Sequence, residues 1–367
     1  MLHNGIVIDF YYGVMALFHH ELIMSQISQT TFLPQAAAER SEAVAGDFRQ
    51  SLRAGWLVDP KFDLFFLANL GWPLLVLLQW MGGLEVQSGI SFWQIYFITT
   101  PHRWITPALL FLERDRLQAN KTKYILITVL LLTLPLAVKI STGTLTCLLT
   151  IDYIWNAWHF AAQHHGIYSI YGRKTGGISP QRLRIDKWLM RGFLLYVTFR
   201  IASWASLGTE ASQGWGTLDY LFATIPTGMI LREFWQLRAQ TLGRCLYFTS
   251  VMTLYLAMLW AVAVKNPMML LVLTTASALF HSIEYLAIVS WSVDRTKKSG
   301  KATTELFMRL MPRWGIVLAV FVVILGLGAW LMETHLLEIW LTANLIMAFL
   351  HYAYDGLIWK SRRSVSA

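Results

Sequence analysis

Charge is what this sequence has least of. Acidic and basic residues together make up 14% of the chain, where soluble domains carry about 25%. That shortage argues against a pair of water-soluble domains. The two cysteines, Cys147 and Cys245, both fall in apolar stretches, so they imply neither a disulfide scaffold nor an oxidising compartment. With 24 glycines and 10 prolines, collagen-like and disordered compositions are excluded too. What is plentiful is hydrocarbon and aromatic surface: 56% of residues are hydrophobic and 17 are tryptophan. The net charge of +9 does not read as a nucleic-acid footprint. In so apolar a chain it reflects Lys and Arg held in cytoplasmic loops.

Runs of about 20 apolar residues cross a bilayer. They are predicted near 63–81, 88–112, 124–140, 146–171, 188–208, 215–231, 245–264, 268–292, 314–332 and 338–359. Loops on one side of these ten spans carry 25 basic residues, while the opposite loops carry only Lys139 and Lys265. A missed or invented span would transfer every later loop to the wrong side and destroy that asymmetry. The expectation is an all-α, polytopic transmembrane bundle of about ten spans in the cytoplasmic (inner) membrane, with both termini cytoplasmic. It divides into a partly polar N-terminal segment 1–61, a helical domain 62–360 and a short basic tail 361–367. Within the first segment, residues 5–18 are apolar but too short to span. They lack the basic start and the cleavage site of a secretory signal.

Six of the ten histidines lie inside predicted spans: His102, His159, His164, His165, His281 and His351. All four helices involved are even-numbered and run from outside to inside. Counting back from their cytoplasmic ends places every one of these imidazoles roughly 9–18 Å below the cytoplasmic boundary. Polar neighbours share their faces at helical spacing: Asp152, Asn156 and Gln163 around His159, Glu284 and Tyr285 after His281, Asn344 and Asp355 around His351, and Thr99, Thr106 and Glu113 around His102. His164 and His165 point away from the His159 face on a helical wheel. Polar stripes in hydrocarbon face a bundle interior or a water-filled cavity.

A lone intramembrane histidine is usually an interhelical hydrogen-bonding residue. Six at one depth with carboxylates nearby point instead to a metal centre. Imidazoles with a few carboxylates suit iron, zinc, copper or manganese. The predicted ligand inventory is His102, His159, His164, His165, His281, Glu284, His351 and Asp355, enough for one ion with its orienting groups or for two. Glu284 and Asp355 are spaced to ligate directly or to accept the second imidazole N–H. Arg103 and Tyr285 join His102 as candidate catalytic groups. Arg103, lying in the bilayer, must find a partner in a substrate head group, an oxygen species or a carboxylate. Asp152 is weighed evenly between a structural or proton-path role and a metal role. Other classes stay open: a proton or divalent-metal transporter using the same residues as a relay, and a haem protein with paired axial histidines.

The segments FITTPHRW, WHFAAQHH, LFHSIEYLAIV and FLHYAYDGLIWK are similar in kind to those of the Brp/Blh-type β-carotene dioxygenases, polytopic proteins with lone histidines on several helices. More distantly, WHFAAQHHG resembles a widened HxxHH box of the membrane fatty-acid desaturases and hydroxylases. The resemblance implies an iron-dependent oxygenase holding one or two ions. Dioxygen would be its co-substrate, and a membrane lipid or carotenoid-like molecule its substrate. An electron donor on the cytoplasmic side would be a partner, and nucleic acid would not.

Overall fold

The structure is a computed structural model that describes residues 55–112, 117–118, 120–176, 178–211, 216–299 and 304–361. The chain divides into two units, Met1–Gln50 and Ser51–Ala367, and all described residues belong to the second. Residues 1–54, the acidic pair Glu113 and Asp115, and the tail from 362 lie outside the described residues.

The described residues are helical throughout, with no strand among them. The helices are α1 (Pro60–Phe62), α2 (Trp72–Gln94), α3 (Thr100–Leu112), α4 (Lys121–Thr142), α5 (Thr146–Lys174), α6 (Pro180–Ala211), α7 (Thr217–Trp235), α8 (Leu242–Ala263), α9 (Pro267–Ser299), α10 (Glu305–Leu310), α11 (Trp314–His335) and α12 (Leu337–Ser361). Four stretches are long and apolar enough to cross a membrane: Lys121–Thr142, Ala239–Ala263, Pro267–Lys298 and Glu305–His335. A bent pair, Pro60–Leu67 and Trp72–Gly83, makes a fifth if it is counted as one span. The helix α5 is longer than α4, yet its Asp152, Asn156 and three histidines dilute its apolar character. On α4, Leu126, Val129 and Leu130 are more than half exposed, as are Ile316 and Ile324 on α11. Apolar patches of this extent mark a surface facing something other than water.

Two irregularities shape the first third of the described chain. Gly83 breaks α2 at φ +64°, a left-handed conformation that costs glycine least. Between α2 and α3, residues Ile95–Thr99 form one π-helical turn, in which the Thr100 N–H reaches back to the Ile95 carbonyl. Pro101 explains the widening: it has no N–H for the Phe97 carbonyl, and its ring crowds that oxygen. The α11 helix closes on this turn through Gly326, where a Cβ would stand 2.6 Å from the Phe97 ring and 2.9 Å from the Tyr96 carbonyl.

Three apolar clusters surround the functional residues. The largest draws mainly on α5, α6, α8 and α9; a second joins α4, α12 and parts of α3 and α5; a third joins α3, α9 and α10. At one end of α5–α8 lies a buried ionic network. Asp186 accepts from Arg232 at 2.9 Å and from Tyr168 at 3.0 Å, and its carboxylate is 3.5 Å from Arg182. Glu233 accepts from Arg244 at 2.9 Å, from Tyr168 at 2.9 Å and from Arg182. One tyrosine thus bridges two buried carboxylates, and every charge in the network has an opposite charge against it. The end of α5, the start of α6, the end of α7 and the start of α8 therefore sit together, as antiparallel neighbours require.

Candidate metal centre

Where the three clusters meet, α3, α5, α9 and α12 each contribute one imidazole. His102, His159, His281 and His351 are only 0–5% exposed. One nitrogen from each lies within 4.8 Å of one from every other, and this is the only such group of three or more His, Cys, Asp or Glu among the described residues. Ring centroids stand 4.9 Å apart for His102–His351, 5.3 Å for His102–His281, 5.0 Å for His159–His281 and 4.6 Å for His159–His351. Four imidazoles bonded tetrahedrally at about 2.0–2.1 Å would put neighbouring ring centres about 5 Å apart. The rings are also nearly perpendicular to their neighbours, with interplanar angles of 72–89°, which turns ring edges rather than faces toward the common centre.

Hydrogen bonds decide which nitrogen faces inward. His102 Nδ1 lies 2.5 Å from the Thr99 carbonyl, which can only accept, so Nδ1 carries the proton and Nε2 the lone pair. The Ser282 hydroxyl, 3.2 Å away, flanks the same nitrogen. For His351 the assignment runs through a chain of hydroxyls. Tyr285 donates its one proton to Asp355 Oδ1 at 2.6 Å, so its oxygen accepts from Thr106 at 2.6 Å. Thr106, its proton spent, accepts from His351 Nδ1 at 2.7 Å. With Asp355 ionised, His351 also presents a bare Nε2. That atom is 3.0 Å from His159 Nε2, a separation satisfied by a shared proton or a shared cation. Asp355 reaches toward His159 as well, with Oδ2 4.0 Å from Nδ1.

His281 differs from the others. Its ring stacks on Phe160 at 3.7 Å between centroids, and neither of its nitrogens has a hydrogen-bond partner among the described residues. Burying an unpaired polar group costs about 1–3 kcal/mol in proteins. With the other three imidazoles around it, His281 has both nitrogens free of hydrogen bonds among the described residues, and the four together could hold a metal ion.

The remaining sequence-predicted residues are placed around this group. His164 turns to the other side of α5, with Nδ1 3.0 Å from Glu284 Oε2, both side chains fully buried. Gln163 clamps Glu284 at 3.2 Å and the His281 carbonyl at 2.8 Å. The His164 ring is 6.0 Å from that of His281 and adjoins the centre without entering it. His165 faces away, toward Ser169 and the Leu183 carbonyl. Tyr285 and Asp355 act through Thr106 on His351. Arg103 makes no hydrogen bond or ion pair among the described residues. Thr106, Ser282 and Phe160 complete the setting without having been singled out as site residues from the sequence. Thr106 stood on the His102 face at helical spacing, whereas nothing in the sequence marks Phe160 or Ser282.

Compared with family models, with curated proteins and with solved structures, the chain gives no match.

Proposed function

We propose that the chain is a ten-span protein of the cytoplasmic membrane with both termini inside, and that its four-histidine centre holds one iron ion and oxygenates a hydrophobic substrate with dioxygen. The observation that carries this reading is the buried imidazole of His281, whose nitrogens have no hydrogen-bond partner among the described residues, beside three others, two of which have Nε2 set as the acceptor. The one-sided distribution of Lys and Arg supports the topology. The ionic network supports it too, since it gathers four helix ends on the predicted cytoplasmic side.

Several features favour iron. Four protein ligands close the tetrahedral shell of zinc, and copper(II) favours tetragonal sites. Iron(II) accepts further ligands beyond four nitrogens and so keeps room for chemistry. Haem fits poorly, because adjacent rings 4.6–5.3 Å apart leave no slot for a porphyrin between them. When bound, the iron supplies the capacity to activate dioxygen. The chain's own residues do the rest. The Thr106–Tyr285–Asp355 relay and the Thr99 carbonyl hold imidazole tautomers and orientations, Phe160 fixes the His281 ring, and burial excludes water. If both oxygen atoms enter the product, no electron donor is needed; a hydroxylation requires one, docked on the cytoplasmic face.

Elemental analysis of protein purified in detergent without chelators tests the reading. Iron near one atom per chain, lost in His281→Ala and His351→Ala, is expected, followed by oxygen consumption with lipid or carotenoid substrates. Metal-free wild-type protein would sink it. Stoichiometric zinc would make the centre a structural clasp instead.

A further inference from the structure

Beside the histidines lies a second group of polar side chains that the metal centre does not use. The Tyr352 hydroxyl donates toward Asp152 Oδ1 at 3.1 Å and Asn156 Oδ1 at 3.0 Å. Using the oxygen of Asn156 in this way leaves its amide N–H groups to donate elsewhere. The Arg103 guanidinium interacts electrostatically with Asp152 and Tyr352 on one hand and with His102, His159 and His351 on the other. It directly follows His102 on α3. Among the described residues no carboxylate lies within ion-pair distance of it, and its Nε is buried without a hydrogen-bond partner. A guanidinium at membrane depth is costly unless it is paired. Arg103, Asp152 and Asn156 are partly exposed while the four histidines are sealed, so an arriving molecule meets the arginine first.

Charge points to the class of that molecule. A guanidinium with no hydrogen bond or ion pair among the described residues is completed by an anion. We propose that Arg103, with the Asn156 amide, binds a single anionic head group on a hydrophobic chain, and that the substrate is an acidic lipid anchored there while its chain lies against the metal centre. The assignment of this ligand as substrate rests on the oxygenase reading; the anion site itself does not. Asp152 sets its selectivity by repelling a second negative charge.

Binding of oleate, oleyl alcohol and oleoyl lysophosphatidate to the purified full-length protein tests this, with iron measured in the same samples. Oleate should bind at least about tenfold tighter than the alcohol, the scale of one charged hydrogen-bonded contact. In Arg103→Gln the preference should fall to about twofold or less, with iron content unchanged. Asp152→Asn should strengthen oleate binding. A lysophosphatidate preference lost in Arg103→Gln keeps the anion site at Arg103 and overturns the selectivity assigned to Asp152. Equal affinity for oleate, lysophosphatidate and alcohol in the wild type overturns the proposal, as does an anion preference that survives Arg103→Gln. Should Arg103→Gln fail to fold, Asp152→Asn decides, and an unchanged preference there overturns it. Iron-free protein that still discriminates acid from alcohol removes the oxygenase and keeps the anion site, so the two failures are distinguishable.

Discussion

Two buried polar regions of this molecule are built on opposite principles. The ionic network at the ends of α5–α8 surrounds Asp186 and Glu233 with Arg182, Arg232 and Arg244, and Tyr168 donates to both carboxylates. The histidine centre brings four imidazoles together and leaves both His281 nitrogens without a hydrogen-bond partner among the described residues. In the first region every charge meets an opposite charge within the chain, which binds the helices to one another. The second gathers four imidazoles that could hold a metal ion. Burial alone does not separate them, since Glu233 and His281 are both almost fully enclosed. What separates them is where the hydrogen-bonding capacity goes.

The comparison can be broken in order of expected effect. His281→Ala should abolish iron binding, a loss exceeding the about 100-fold seen for groups that only orient a ligand, while the protein still folds. Iron should then no longer raise its melting temperature, as it should in the wild type by mass action; thermal denaturation with and without added iron reads this directly. Glu233→Ala should do the reverse. Leaving Arg244 and its neighbours buried without their carboxylate should cost about 3–5 kcal/mol, visible as early unfolding at every iron concentration. A Glu233→Ala protein of ordinary stability would show that the network is dispensable. Tyr285→Phe interrupts the relay to His351 and should weaken iron binding about 10- to 100-fold without emptying the site. Chelator competition measures that shift. At the small end, Lys139 pairs with Glu338 between α4 and α12 with the glutamate largely exposed. Exposed pairs are worth about 0–1 kcal/mol, so Lys139→Ala should leave both stability and iron content within experimental scatter.

Parts of this arrangement were legible in the sequence for definite reasons. Apolar runs such as 124–140 and 314–332 announce α4 and α11 because hydrocarbon-facing helices carry little else. Counting along even-numbered spans sets His102, His159, His281 and His351 at one depth, because rise per residue is fixed. The wheel separates His164 and His165 from His159, because three residues so close on one helix cannot share a face. What the sequence could not reveal are contacts between distant residues. Glu284 answers to His164 rather than to its neighbour His281, and Asp355 reaches His351 only through Thr106 and Tyr285. Pro101 signals a break near His102, but not that the break is a widened turn sealed by Gly326. Ten spans read from charge and hydropathy exceed the four or five distinguished by length and apolarity among the described residues; α9 is one of these despite carrying His281 and Glu284, while α6 and α7 are not.

The hydrogen bond from His351 to Thr106 joins residues 245 positions apart, one near the first described helices and the other on α12. Helices enter a membrane in the order in which they are made. An ion gripped by all four imidazoles therefore cannot be enclosed until α12 has been inserted, and neither can the relay that sets the His351 tautomer. On the proposed reading, metal loading would be a late event in biogenesis, one that follows assembly of the bundle rather than guiding it.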